Sequence, residues 1–88
     1  MTRYTNKQLK DLVKCGAAVD VSSATNETRR EIEAKEGYYN QIGYCSGVYG
    51  CSGMLLKGAN TGTLYAVTNR TQAIYIFWSV FIGDPVIR

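Results

Sequence analysis

Residues 43–82 constrain the fold of this chain more than any other part of it. The stretch opens with β-forming residues broken by glycine, Gly43-Tyr44-Cys45-Ser46-Gly47-Val48-Tyr49-Gly50-Cys51-Ser52-Gly53-Met54-Leu55-Leu56. It continues through Leu64-Tyr65-Ala66-Val67-Thr68 into a ten-residue apolar run, 73–82. Glycine inside a strand marks a bulge, a bend or the close approach of another backbone. Residues 42–57 therefore predict a bent or bulged hairpin. The triplet Cys-Ser-Gly occurs at 45–47 and again at 51–53, but two short copies fall below the roughly three units that a solenoid needs to bury a core.

Gly58-Ala59-Asn60-Thr61-Gly62 is a turn by composition. After it, Thr63, Tyr65 and Val67 alternate with Leu64, Ala66 and Thr68, the pattern of a strand. In the last run, Ile74, Ile76, Trp78, Val80 and Ile82 alternate with Ala73, Tyr75, Phe77, Ser79 and Phe81. This predicts a final strand that is apolar on both faces and is stopped by Gly83-Asp84-Pro85. Such a strand is either central and covered on both sides or part of a subunit interface.

The first half of the chain predicts helices. Thr5 and Gln8 make a capping-box pair. Leu9, Leu12 and Val13 share one helical face, and Gly16 is placed to end the helix in the left-handed conformation. Residues 17–21 read as a short edge strand. Ser22, Ser23, Thr25 and Asn26 offer caps for a second helix ending at Gly37. That helix is nearly all polar, with Ile32 and Ala34 its core candidates and Glu31–Lys35 an attractive i,i+4 pair. The expectation is one α+β domain over residues 1–88, in which the N-terminal helix and the polar second helix pack on a twisted antiparallel sheet of three to five strands.

An 88-residue domain buries only about 60% of its unfolded surface, so disulfides, a metal or oligomerisation are the usual additions. Three cysteines, Cys15, Cys45 and Cys51, are an odd count that argues against a secreted disulfide framework. The opening residues are polar, with no apolar leader, and the run 73–82 is too short to span a bilayer as a helix. A cytoplasmic protein with no membrane partner is expected.

The chain has no histidine, which removes Ser-His-Asp and Cys-His catalysis. Three thiols without a fourth soft ligand predict no metal site, and no cofactor motif is present. Glu27, Glu31, Glu33 and Glu36 all belong to the polar helix, while Asp20 and Asp84 are isolated, so no carboxylate pair is set up for acid–base work. An enzyme with a Cys or Tyr nucleophile is the least favoured class. The loop Gly58, Asn60, Thr61 and Gly62, with Arg70 nearby, offers backbone N–H groups and a cation to a small anion or nucleotide. Tyrosines beside Arg29, Arg30, Lys35, Lys57 and Arg70 allow nucleic-acid binding as an alternative, although a net charge of +3 is mild for that role.

Two helices cover one side of such a sheet, which leaves seven tyrosines and a tryptophan with sheet surface to spare. A protein partner and a homodimer are expected there, with Tyr44, Tyr49, Tyr65, Tyr75, Phe77 and Phe81 as the partner-binding residues. The segments 44–50 and 62–68 also resemble small accessory proteins of bacteriophages and mobile elements, a group that includes inhibitors of host defence systems such as anti-CRISPR proteins. This resemblance implies stoichiometric, non-catalytic binding to a larger enzyme and assigns no functional residue.

Overall fold

The computed structural model describes residues 2–47, 50–68 and 72–81. The order of elements is β1 (Thr2–Tyr4), α1 (Asn6–Lys14), β2 (Ala18–Asp20), α2 (Asn26–Glu36), β3 (Tyr39–Gly47), β4 (Gly50–Gly58), β5 (Leu64–Val67) and α3 (Gln72–Phe81). Helices and one five-stranded sheet make an α+β architecture.

Local chemistry explains the first two helices. The Thr5 hydroxyl accepts from the Gln8 backbone N–H at 3.1 Å, and the Gln8 side chain accepts from the Thr5 N–H at 2.8 Å, closing the capping box. Thr25 caps α2 by accepting from the Thr28 N–H. Past the two helices, Gly16 (φ 84°) and Gly37 (φ 79°) take a backbone conformation that a Cβ disfavours. Within α2, Arg29 bridges to Glu33 at 2.8 Å.

The strand order is β1-β3-β4-β5-β2. Strands β3, β4 and β5 are antiparallel neighbours, but β1 runs parallel to β3 and β2 parallel to β5. The sheet is therefore mixed, not purely antiparallel as expected. The cause is β1, which the sequence reading missed, and the long path of α1. A strand–helix–strand unit brings its two strands out parallel, and here α1 carries the chain from one edge of the sheet to the other. The glycine-rich hairpin is bulged as predicted, with register shifts between Gln41 and Gly43 and between Cys45 and Ser46.

The larger correction concerns the apolar run at the end. Its described part is the helix α3, not a strand. Ala73, Ile74 and Phe77 are buried, while Tyr75 is 52% exposed, which is the i, i+1, i+4 signature of a helix face. A continuous apolar run fits either structure, and alternation cannot choose between them when both sides are apolar. The sheet decides the matter, because its second face needs a cover.

Successive residues of a strand point to opposite faces, and the two cores follow that rule. Leu55 and Ala66 are buried with Leu9 of α1, Ala18 and Cys45, and Tyr4, Leu12, Val13, Ile42 and Leu64 lie against them. Met54, Leu56, Tyr65 and Val67 are buried on the other face with Tyr39, with Ile32 of α2, and with Ala73, Ile74 and Phe77 of α3. Tyr39 and Phe77 meet edge to face, with ring centroids 5.4 Å apart at 72°. The polar α2 thus contributes a core residue, and the described part of the run expected to be a two-sided strand is a helix. None of the described helices is long and apolar enough to cross a membrane.

Candidate functional site

The loop between β4 and β5 encloses a carboxylate of the protein's own, that of Glu36. Glu36, the last residue of α2, is fully buried. Its Oε1 accepts the backbone N–H of Thr61 at 2.8 Å and that of Asn60 at 3.1 Å. Its Oε2 accepts the Thr61 hydroxyl at 2.5 Å and the Tyr65 hydroxyl at 2.8 Å. Because Thr61 spends its proton on Glu36, its oxygen is left to accept from Thr63, whose N–H lies 3.2 Å away and whose hydroxyl lies 2.6 Å away. The Asn60 side chain donates to the Lys35 carbonyl at 3.2 Å, one of the carbonyls that the helix end leaves open.

These donors outweigh burial. The hydroxyl and then the N–H of Thr61 are the main causes that hold the Glu36 carboxyl at about 2, below its usual 4.5, with Tyr65 and Asn60 adding to them and burial opposing. Burial first, then the hydrogen bond to Glu36 and the Glu36 charge, raise the Tyr65 hydroxyl above its ordinary value. Burial, followed by the Glu33 charge, likewise raises Tyr39. Four donors fill the two carboxylate oxygens, so this nest is a clamp between α2 and the β4–β5 turn.

Gly58 is part of the clamp. A Cβ there would collide with the carboxyl carbon and both oxygens of Glu36. Gly58→Ala should lower the thermal midpoint markedly in the wild-type background and much less in a Glu36→Ala background, where the colliding group is gone. A double-mutant cycle followed by thermal denaturation measures this coupling, and equal effects in both backgrounds would show that the contact is not what excludes alanine.

The sequence-selected aromatic residues that are described do not gather into one patch. Tyr65 and Phe77 are buried in the core beside α2 and α3, Tyr44 is half-buried on β3 opposite Met54, and Tyr75 faces outward on α3. Tyr49, Arg70 and the Phe81 side chain lie outside the described residues. Among the described residues, no three His, Cys, Asp or Glu side chains group as metal ligands.

Among the described residues, one cavity lies beside α1 and is lined by Tyr4, Gln8, Asp11, Leu12 and Cys15, and two others border strands. One, of about 350 Å3, lies between the start of α1 and the β3–β4 hairpin and is lined by Arg3, Thr5, Asn6, Cys45, Ser46 and Ser52. Ser52 donates to the Cys45 carbonyl there at 3.2 Å. The other, of about 380 Å3, runs along the outer strand β2. Val19, Val21, Ile32 and Tyr65 give it an apolar floor, and Thr28, Glu31 and Lys35 of α2 form its rim.

The cavity along β2 adjoins an open sheet edge, because among the described residues β2 is the last strand in the order and has one neighbour, β5. The Val21 N–H bonds to Ala66 of β5 at 2.9 Å. Alternate residues of a strand direct their backbone groups to opposite sides, so those of Ala18 and Asp20 point away from the sheet. Val19, a β-branched residue between them, is 50% exposed. An open edge, an exposed valine and an apolar groove together make the best-equipped docking surface among the described residues. Sequence reading placed a strand at 17–21 but could not see that Ile32 and Tyr65, from distant elements, would floor a groove beside it.

No family model, curated protein or solved structure matches this chain.

Proposed function

We propose that this protein is a non-catalytic protein-binding module that acts by occupying a surface of a larger partner. The open β2 edge with its apolar groove carries this reading. An exposed edge recognises an extended peptide by adding it as a strand, with main-chain bonds for affinity and side-chain pockets for specificity. The groove suits that division of labour, since it sits beside the outward backbone groups of Ala18 and Asp20. The Glu36 clamp supports it by fixing the end of α2, and with it one wall of the groove.

The phage or mobile-element character suggested by the sequence narrows the partner to a bacterial defence enzyme, blocked stoichiometrically as anti-CRISPR proteins block theirs. The test uses purified bacterial defence nucleases, RNA-guided ones among them, with cleavage measured against increasing amounts of this protein. Inhibition is expected to be complete near equimolar amounts and to be lost with Val19→Lys. Activity of all the nucleases at excess protein, or inhibition at amounts far below equimolar, would overturn the proposal.

A further inference from the structure

From the same edge, and resting on the reading of β2 as a docking strand, we infer that the segment it binds in the free protein is β2 of a second copy. The two strands pair antiparallel about a two-fold axis through Val19. Ala18 then faces Asp20 of the second copy, and the outward backbone groups of both strands form two reciprocal hydrogen-bonded pairs. The two Val19 side chains meet as a directly opposed, non-hydrogen-bonded pair, the arrangement in which cross-strand side chains approach most closely. That contact accounts for a half-exposed valine on an edge strand, a position where proteins that avoid pairing place charge or proline.

Charge complementarity singles out a second copy as the occupant. A two-fold axis through Val19, perpendicular to the sheet, sets the two α2 helices side by side and antiparallel on the same face. Glu31 and Lys35 stand on the groove rim, one turn apart, and neither makes an ion pair among the described residues. In the antiparallel pair each Glu31 faces the other copy's Lys35, so two opposite-charge contacts form and no like charges are opposed. The Asp20 carboxylate stays out of the seam, because it accepts from the Ser22 N–H at 2.9 Å and from the Ser22 hydroxyl. The two five-stranded sheets become one continuous sheet, the isologous interface typical of dimers.

Sedimentation equilibrium on the full chain tests this directly. The wild type should have nearly twice the 9.7 kDa mass of one chain. Val19→Lys, which opposes two ammonium groups at the axis, should be a monomer with an unchanged far-ultraviolet dichroism spectrum. Glu31→Lys and Lys35→Glu should each shift the equilibrium toward monomer, and the Glu31→Lys/Lys35→Glu double variant should restore the dimer, because the swap recreates the pairing. A monomeric wild type, or a dimer indifferent to Val19→Lys and to the single charge reversals, would overturn the inference. The nuclease assay is read separately: a monomeric wild type that still blocks its target leaves the binding reading intact, and a dimeric wild type that blocks nothing sinks only that reading.

Discussion

Glu36→Gln should flatten the acid limb of this protein's stability curve. In the folded chain the carboxyl sits at about 2, and its ordinary value is 4.5. A group whose folded value is depressed stabilises the fold fully above its unfolded value, and that contribution disappears as pH falls through the folded one. Between pH 4.5 and about 2, wild-type protein should therefore lose stability progressively as Glu36 takes up the proton it excludes at neutral pH. The amide variant has no proton to take up and should show a weaker pH dependence across that window.

The amide should also be less stable at neutral pH. Its NH2 group would face two hydroxyls that now donate to Oε2, and both would have to turn around. Glu36→Ala goes further and leaves the N–H groups of Asn60 and Thr61 without their acceptor. Unsatisfied buried donors are costly, and for a domain of this size the thermal midpoint of the alanine variant should fall by on the order of 10 °C. Urea or thermal melts at a series of pH values measure both effects. Parallel acid limbs for wild type and Glu36→Gln would show that another carboxylate governs the acid transition.

Phe77→Ala should be the most damaging substitution in the second half of the chain. Phe77 is fully buried, edge-on to Tyr39 and surrounded by the β4, β5, α2 and α3 side chains of one core. Truncating such a ring costs about 3–5 kcal/mol, against a total stability of roughly 5–15 kcal/mol for ordinary domains. The midpoint should drop by about 15–30 °C at this size. Tyr75→Ala, two residues away on the exposed side of α3, should cost much less than Phe77→Ala. The contrast separates helix from strand, because residues two apart share a strand face but lie far apart around a helix. Comparable losses from the two substitutions would mean that the segment is not helical.

Where a signal is carried by neighbours in the chain, the sequence alone determined the structure. Thr5, Gln8 and Gly16 bound α1, and Gly37 with one of four offered caps, Thr25 in the structure, bounds α2, because a cap is a hydrogen bond or a backbone conformation settled within about four residues. The bulged hairpin and the alternating strand after Gly62 belong to the same class. Tertiary structure alone decided three other features. Residues 73–81 satisfy either apolar pattern, and they became a helix because the face holding Met54, Leu56, Tyr65 and Val67 needed covering. Thr2–Tyr4 carries too short a pattern to announce a strand and became one by pairing with residues 43–45. Glu36 looked like one more solvated charge on a polar helix, yet Asn60, Thr61 and Tyr65 arrive from 24 to 29 residues further along to enclose it. Each of the three depends on partners distant in sequence, and no local pattern encodes which distant groups will meet.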